Sequence, residues 1–339
     1  MLLAVDVGAG TQDILLYRED MEPEGLYKMI MPSQTVVIAR RIRSATDHGK
    51  DVFLHGDTMG GGPLTAAVRR HIASGFRVYA TADAALSMHD NLQRVRSMGV
   101  EITQDPPEGC VDIRTCDVDL TALRRAFSSF DVDLPEAIAV AVQDHGFSPE
   151  RSNRATRFDI LRAALKNGGR IGDFAHREPP EVLSRMRAVW RHLREHNINA
   201  LVMDTGPAAI FGALEDPECR TPALVINIGN GHTIGAIVDD GRITAIFEHH
   251  TSAMTPEKLR SIMKRLCEGT LTHKEIFEDG GHGAHIEHVP DEVRSILVTG
   301  PRRGVFVRSM KDPVQAAPWG GMMITGCVGL VRAWKALLG

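Results

Sequence analysis

The sequence lacks the cysteine arrangements that define disulfide-stapled and iron–sulfur proteins. It has five cysteines, and they are widely scattered: Cys110, Cys116, Cys219, Cys267 and Cys327. An odd, scattered set is typical of reduced thiols and does not form a disulfide framework. Only one pair lies close together, so there is no C-x₃-C-x₂-C run that could hold an iron–sulfur cluster. We therefore expect a cytoplasmic protein and exclude an iron–sulfur radical enzyme.

The chain also has no long apolar run and no strong excess of one charge. No stretch of about 18 apolar residues occurs, so a membrane span is not expected. The opening MLLAVDVGAG has neither a basic region nor a small-residue cleavage site, which argues against a signal peptide. The net charge of -4 argues against a nucleic-acid partner, because tracking phosphates needs a clustered basic face. We expect neither membrane nor nucleic acid as a partner.

The length of 339 residues predicts about two domains. Apolar strand-like runs alternate with helical patterns, for example at Leu64 to Ser74 and roughly His89 to Met98, which predicts an α/β protein with a mostly parallel, helix-covered sheet. Near Pro222 the pattern of strands starts again. We therefore expect an N-terminal lobe, residues 1–221, containing an inserted α/β region, and a C-terminal lobe, residues 222–339.

An internal repeat marks the start of each lobe. The segments AVDVGAGTQDILLY and VINIGNGHTIGAIV both read as strand, glycine turn and returning strand. Asp6 aligns with Asn227, an offset of 221 residues (227 minus 6). Repeated self-similarity is an architectural signal. The sequence thus predicts two equivalent β-hairpins that face each other across a cleft.

The two hairpin turns have the composition of phosphate-binding loops. Gly8, Gly10, Gly229 and Gly231 would let backbone N–H groups approach an anion without a Cβ in the way. Two such turns facing each other would hold a polyphosphate from both sides, and Asp6 would hold Mg²⁺ against it. The alternative is that both are simply tight turns.

A third glycine-rich segment, HGDTMGGGP, lies between a predicted strand and a predicted helix. Gly60, Gly61 and Gly62 would free N–H groups at the helix N-terminus for a phosphate or carboxylate. With Thr58 they are candidates to bind a small acidic substrate. The alternative is a glycine hinge at a sharp turn.

Two aspartates follow directly after buried strands, in QDHG and MDTGPAA. Ligands of open α/β sheets bind at the carboxyl ends of strands. Asp144 and Asp204 are therefore candidate general bases or Mg²⁺ ligands, with His145 beside them as a substrate-binding candidate. The alternative for each aspartate is an N-cap or a turn stabilised by its side chain.

Histidines are concentrated at predicted strand and loop ends. His249 and His250 are neighbours on a strand, so at most one of them faces the cleft. We take His249 as a candidate proton carrier. His282, His285 and His288 are regularly spaced, but on a loop that spacing fixes no common face. A transition-metal site would have to recruit His145, His232 or His282 from separate loops.

The duplicated hairpins, the strand order after each and the late turn GPRRG resemble the actin/heat-shock chaperone/sugar-kinase (ASKHA) superfamily, which has a two-lobed, ribonuclease H-like fold. The resemblance implies ATP and Mg²⁺ as ligands, with Thr299 to Gly304 as the adenosine-side turn. The implied nucleotide-binding residues are Gly8, Gly10, Thr11, Gly229, Asn230, Gly231, His232, Thr233, Gly300, Arg302 and Arg303. Asn227 stands where the superfamily usually has an aspartate, and it supplies no carboxylate to a metal.

A narrower resemblance covers the whole chain. The segments HGDTMGGGP, VQDHG, MDTGPAA, NIGNGHT, EHHT, GGHG and TGPRR resemble a family labelled as pyruvate formate-lyase activating enzymes. The missing cysteine run excludes the radical chemistry of that label.

Three functions stay open from the sequence. The first is an ATP-dependent phosphotransferase or ATPase that acts on a small acidic metabolite. The second is a metal-dependent hydrolase that uses the histidines. The third is a non-catalytic nucleotide sensor, which Asn227 favours. A homodimer is compatible with each of them.

Overall fold

The computed structural model describes residues 1–338. In chain order, the strands within that range are β1 (Leu2–Val7), β2 (Thr11–Tyr17), β3 (Tyr27–Pro32), β4 (Val52–Gly56), β5 (Val78–Ala80), β6 (Val100–Ile102), β7 (Val111–Thr115), β8 (Ala137–Val142), β9 (Ala175–His176), β10 (Asn199–Asp204), β11 (Ala223–Ile228), β12 (His232–Asp239), β13 (Arg242–His250), β14 (Gly283–Ile286), β15 (Ser295–Thr299) and β16 (Val314–Gln315).

The α-helices of the same range are α1 (Gln34–Asp47), α2 (Gly62–Ala73), α3 (Ala82–Leu86), α4 (Leu92–Ser97), α5 (Leu120–Ser128), α6 (Asn153–Lys166), α7 (Ser184–Glu195), α8 (Thr205–Ala213), α9 (Pro256–Cys267), α10 (His273–Glu278), α11 (Gly304–Val307) and α12 (Thr325–Leu338). No helix among them is both long and apolar enough to cross a bilayer.

Two six-stranded sheets share the order of five strands, β3-β2-β1-β8-β10 in the first and β13-β12-β11-β15-β16 in the second, and each has one additional edge strand, β9 or β14. The first runs β3-β2-β1-β8-β10-β9, and the second runs β14-β13-β12-β11-β15-β16. Each contains a meander of three consecutive antiparallel strands, and the first strand of each meander pairs in parallel with a later strand, β1 with β8 and β11 with β15. The duplicated topology matches the two-lobed, ribonuclease H-like fold that the resemblance to the ASKHA superfamily implies.

The two hairpins match in register as well as in order. In the first, Asp6 lies opposite Asp13; in the second, Asn227 lies opposite Ile234. Both strands of the second hairpin are thus displaced by the same 221 residues from those of the first. The sequence repeat corresponds to a structural repeat, strand for strand.

A third sheet lies between β3 and β8 in the chain. Its order is β6-β5-β4-β7, and all of its strands are parallel. Its strands and helices share a separate core built on buried side chains such as Val52, Leu54 and Val68. This is the inserted α/β region expected from the sequence, and it carries the glycine run at the carboxyl end of β4.

Helix α12 joins the two large sheets. Its buried residues, among them Cys327, Val328 and Val331, share one core with Leu2 of the first sheet and Val225 of the second. The last helix, assigned to the C-terminal lobe from the sequence, thus packs on the first sheet too. The division of the chain at residue 221 stays a prediction, because this helix packs against the sheets of both lobes.

One predicted helix differs in its bounds. The segment from His89 to Met98 becomes helical only at Leu92 and ends at Ser97. Asn91 stops the helix from starting earlier, because its side-chain oxygen accepts the N–H groups of two residues in the first turn. The segment before it is left free to line the cleft described next.

Candidate functional site between the two hairpins

A cleft of about 480 Å³ opens between the two glycine hairpins and the inserted sheet. Its walls include the tips of both hairpins, the glycine run, the segment before α4 and the loop after β8, which are residues 7–9, 229–232, 58–63, 86–90 and 143–146. The volume falls within the roughly 300–1,000 Å³ typical of small-molecule sites. The cleft expected between the hairpins is therefore present.

Each hairpin turn is closed by the same hydrogen bond. The N–H of Gly8 donates to the carbonyl of Thr11 over 2.8 Å, and the N–H of Gly229 donates to the carbonyl of His232 over 2.9 Å. These two N–H groups are used within the turns. The expectation that Gly8 and Gly229 offer their own N–H groups to an anion is therefore corrected.

The N–H groups of the next two residues of each turn are not used within the turn. The N–H groups of Ala9, Gly10, Asn230 and Gly231 donate to no protein atom of the described chain. The two turns also face each other closely, because a Cβ built on Gly10 would lie 3.2 Å from the side-chain nitrogen of Asn230. Two closely opposed turns thus carry four backbone N–H groups that no protein atom accepts.

The threonines of the two turns do not line the cleft. Thr233 is fully buried, and its hydroxyl lies 3.0 Å from that of Thr251, which donates to the carbonyl of Gly229. Thr233 therefore supports the second turn from behind. Thr11 likewise lies outside the lining of the cleft. The prediction that these two residues contact the nucleotide directly is not supported by their positions.

Asp6 lies behind the first turn. Its Oδ1 accepts a hydrogen bond from the hydroxyl of Thr205 over 2.6 Å, and burial raises the pKa of Asp6 to about 6. Asp13 lies opposite on β2, where burial and then the charge of Asp6 raise its pKa to about 8. The Oδ1 of Asp13 is buried without a hydrogen-bond partner. The two carboxylates thus form a pair with one unsatisfied oxygen.

Close packing fixes the glycine run. A Cβ on Gly61 would overlap the carbonyl oxygen of Ser87, and one on Gly60 would lie 2.6 Å from the guanidinium of Arg185. In contrast, a Cβ on Gly62 would meet no atom within 4 Å. Gly60 and Gly61 are required by packing, as the hinge alternative holds, whereas Gly62 begins α2 with open space beside it.

Thr58 lies in the cleft wall and donates its hydroxyl to the carbonyl of Asp83 over 2.9 Å. Arg185, in contrast, reaches across the cleft wall: Nε and Nη2 bind Asp117, and Nη1 donates to the carbonyl of Gln143. The sequence did not identify Arg185 as a cleft residue, because it is one of several arginines in α7 and their pattern is typical of an exposed helix face.

Asp144 and Asp204 do not present free carboxylates. Asp144 accepts the N–H of Gly146 on one oxygen and that of Met186 on the other, each over 2.8 Å. Asp204 caps α8 by accepting the N–H of Gly206 over 3.0 Å, and both of its oxygens bind an arginine. The general-base role predicted for these two residues is corrected to the turn and cap alternatives.

The arginine is Arg157, which lies on α6 and is 2% exposed. It donates Nη1 and Nη2 to Asp204 and its Nε to Glu248, over 2.7 Å for the last. Gln143 donates to the other oxygen of Glu248. A signal was present in the sequence, because Arg157 takes the place of an apolar residue in the buried row of α6 that continues through Leu161.

His249 and His250 point to opposite sides of β13, as the alternation of a strand requires. His249 is fully buried, with its Nε2 3.0 Å from Asp279, which also binds Lys258. The ring of His250 lies 4.8 Å from that of His232, between centroids. The histidine on the cleft side of the strand is therefore His250, and the choice of His249 is corrected.

Three other histidines come together from separate loops. His145 and His232 line the cleft, and His282 lies behind them with no exposed surface. One nitrogen of each ring lies within 4.8 Å of the others. His285 instead pairs with Glu287, so the regular spacing of the histidines after α10 does not bring them together.

The late turn packs against the second hairpin. Gly300 has a φ of +94°, and a Cβ there would overlap the carbonyl oxygen of Ile228. The N–H of Arg302 donates to the same carbonyl over 3.0 Å, whereas Arg303 donates its Nη1 to Gly300. None of these three residues is part of the cleft lining. Arg302 and Arg303 thus do not bring positive charge to the cleft walls.

No curated protein matches the chain. Similar solved structures include the ethanolamine utilization protein EutJ from Carboxydothermus hydrogenoformans, at 14% identity, 97% of this chain, 88% of that chain and a TM-score of 0.34. The activator of the 2-hydroxyisocaproyl-CoA dehydratase from Clostridium difficile, with bound ADPNP, has 9% identity, 99% and 96% coverage and a TM-score of 0.36.

A third similar structure is the (R)-2-hydroxyglutaryl-CoA dehydratase component A from Acidaminococcus fermentans, with 11% identity, 99% and 98% coverage and a TM-score of 0.35. A family model matches residues 59–305, which is more than half of the chain. The chain therefore belongs to the family described as "Putative pyruvate format-lyase activating enzyme (DUF1786)".

Proposed function

We propose that this protein binds a nucleotide and holds its phosphate tail between the two hairpin turns. The observation that carries the proposal is the set of four N–H groups without a protein acceptor, on Ala9, Gly10, Asn230 and Gly231, in two turns of which Ala9, Asn230 and Gly231 line the cleft. Ala9, Asn230 and Gly231 are exposed and Gly10 is half-buried, so these N–H groups are accessible to a ligand, and phosphate oxygens supply several acceptors at once. Two opposed turns would bind a diphosphate or triphosphate better than a single phosphate.

Mg²⁺ accompanies ATP, and the pair formed by Asp6 and Asp13 suits it. Magnesium prefers carboxylate oxygens and water. The unsatisfied Oδ1 of Asp13 and the position of Asp6 directly before the cleft-lining Val7 support this assignment. When bound, the ion would offset the negative charge of the phosphates. Both pKa values are raised, so cation binding would displace protons from this pair.

The adenosine end of the nucleotide would lie toward the late turn at Gly300, which is held against the second hairpin at Ile228. A small acidic metabolite would bind at the start of α2. Gly62 leaves open space there, and the N–H groups of the first helical turn attract an anion.

The reaction class is a phosphotransferase or ATPase, and the group best suited to accept a proton is Asp90. This residue lines the cleft, and only its Oδ2 accepts a protein hydrogen bond, from the N–H of Ser148 over 2.9 Å. Burial raises the pKa of Asp90. A carboxylate with one free oxygen and a raised pKa is a better base than Asp144 or Asp204, whose oxygens are all in use.

The test is a comparison of two glycine variants. A Cβ at Gly231 meets no protein atom within 4 Å, so Gly231→Val should leave the fold intact and crowd only a ligand in the cleft. Gly25→Val is the control, because Gly25 is exposed and lies outside the cleft.

Thermal shift with Mg·ATP is the measurement. A nucleotide at 100 times its Kd stabilises the folded state by about 2.7 kcal/mol. We expect that shift in the wild type and in Gly25→Val, and a much smaller one in Gly231→Val. Equal shifts in all three proteins would remove the turns from the binding site.

A further inference from the structure

The structure contains a second cluster of chemically competent side chains where the two lobes meet. His145 follows β8 of the first sheet, whereas His232 begins β12 and His282 directly precedes β14, both of the second sheet. One nitrogen from each ring lies within 4.8 Å of the other two. The ring centroids of His232 and His282 are 4.9 Å apart. Three separate segments of chain thus bring three imidazoles to one point.

The cluster has buried nitrogens without partners. His282 has no exposed surface, and neither its Nδ1 nor its Nε2 makes a hydrogen bond. The Nε2 of His232 is also buried and unpaired. A buried polar group without a partner destabilises the folded protein unless a ligand satisfies it. Two neighbouring histidines differ, since His249 pairs with Asp279 and His285 with Glu287.

Imidazole nitrogens are the commonest protein ligands of transition-metal ions. Glu248 also lines the cleft, but both of its carboxylate oxygens are already bound, one by Arg157 and the other by Gln143.

We propose that His145, His232 and His282 bind one divalent transition-metal ion. Three neutral imidazole nitrogens without a free carboxylate suit zinc, iron, cobalt, nickel or copper, whereas magnesium and calcium prefer oxygen ligands. In a tetrahedral site with metal–nitrogen bonds of about 2.0–2.1 Å, two nitrogens lie about 3.3 Å apart. Binding would therefore draw the three nitrogens, which lie within 4.8 Å of one another, closer together.

Two consequences follow from the position of this site. Its ligands come from both lobes, so a bound ion would link the loop after β8 to the second hairpin and stabilise their approach. His145 and His232 also line the cleft, so a fourth coordination position would face it. This site is separate from the Asp6 and Asp13 pair and uses a different class of metal.

His250 lies next to the cluster, with its ring centroid 4.9 Å from that of His282. The side chain of His250 lies on the cleft side of β13, and the residue is half-buried. None of the three converging nitrogens belongs to His250. Replacement of His250 should therefore weaken metal binding less than replacement of His282 does.

The experiment uses Co²⁺ alone as the probe, in the absence of nucleotide. The full chain, freed of metal with a chelator, is titrated with Co²⁺, and the visible absorption of tetrahedral cobalt is recorded. We expect one Co²⁺ per chain and competition by Zn²⁺. His145→Ala and His282→Ala should lose more affinity than the roughly 10–100-fold that removal of an outer-shell partner costs.

The control is His288→Ala, which removes an exposed histidine of the same chain segment that lies outside the cluster. It should bind Co²⁺ as the wild type does. His145 is only half-buried, so His145→Ala tests the site even if His282→Ala does not fold. A wild type that gives no tetrahedral cobalt spectrum, or cluster variants that bind as tightly as His288→Ala, would overturn the proposal without bearing on nucleotide binding.

Discussion

Arg157 and Asp204 form a buried, bidentate ion pair. The Nη1 of Arg157 lies 2.6 Å from Oδ2 of Asp204, and its Nη2 lies 3.1 Å from Oδ1. The third donor of the same guanidinium binds Glu248. The pair therefore connects α6 and the end of β10 with β13 of the second sheet, and Arg157 and Glu248 form part of the cleft wall.

Replacement of this arginine should be severe. Arg157→Met leaves Asp204 and Glu248 as buried carboxylates without a counter-charge, which costs about 3–5 kcal/mol for a broken buried pair. Arg162→Met is the matched control on the same helix, where the arginine pairs with the half-exposed Asp159; the expected loss there is about 1 kcal/mol or less. Urea unfolding measures both. Similar small losses in the two variants would contradict the structural role of Arg157.

The Asp13 carboxyl predicts an unusual dependence of stability on pH. Its folded pKa of about 8 lies above the ordinary value of 3.8, so the folded protein holds this proton more tightly than the unfolded chain does. That contribution is complete below the ordinary pKa and is lost as the pH rises through about 8. Asp13→Asn cannot ionise and escapes the loss.

The melting temperature of Asp13→Asn should therefore exceed that of the wild type in mildly alkaline buffer, and the difference should shrink as the buffer is made acidic. Asp105→Asn, at an exposed aspartate, should follow the wild type at every pH. A difference that is constant with pH, or that grows in acid, would be inconsistent with a buried carboxyl of raised pKa.

Two neighbouring residues of the glycine run, Gly61 and Gly62, differ in how closely the protein packs around them. Gly61→Ala places a methyl group on the carbonyl oxygen of Ser87, and such overpacking costs about 1–3 kcal/mol. Gly62→Ala meets no atom within 4 Å and should be neutral or stabilise the protein by about 0.4–1 kcal/mol, because it restricts the unfolded chain. Chemical unfolding of both variants is the measurement, and equal stabilities would show that the turn adapts.

Asp90 should affect turnover rather than binding. Asp90→Asn removes the proton acceptor and keeps the size of the side chain, so we expect Mg·ATP affinity close to that of the wild type and a loss of at least about 10²-fold in phosphate transfer or release. Asp105→Asn again serves as the control. Undiminished turnover in Asp90→Asn would remove Asp90 as the base, whereas no turnover in the wild type under any condition would favour a nucleotide sensor.

The local parts of the site were predictable from the sequence. The two hairpins are defined by neighbouring apolar strands and glycine turns, so the repeat of Asp6 at Asn227 was sufficient to predict their matching register. What the sequence did not reveal is which N–H groups of the turns are free. That depends on the closing bonds made by Gly8 and Gly229, which are a matter of three-dimensional geometry.

The parts of the site that depend on contacts between distant segments were less predictable. Asp144 and Asp204 looked like free carboxylates because their partners, the N–H of Met186 and the guanidinium of Arg157, lie more than 40 residues away from them in the chain. The choice between His249 and His250 required the direction of each side chain on β13. Local patterns contain no information on such directions once a strand is buried on both faces.

The most direct test of the account is calorimetric titration of the wild-type protein with ATP, ADP and adenosine in the presence of Mg²⁺. If the free N–H groups of Ala9, Gly10, Asn230 and Gly231 hold the phosphate tail, ATP and ADP bind with one site per chain. Adenosine then binds at least about tenfold more weakly, a difference of about 1.4 kcal/mol. Adenosine affinity equal to that of ATP, or no heat from millimolar ATP, would contradict it.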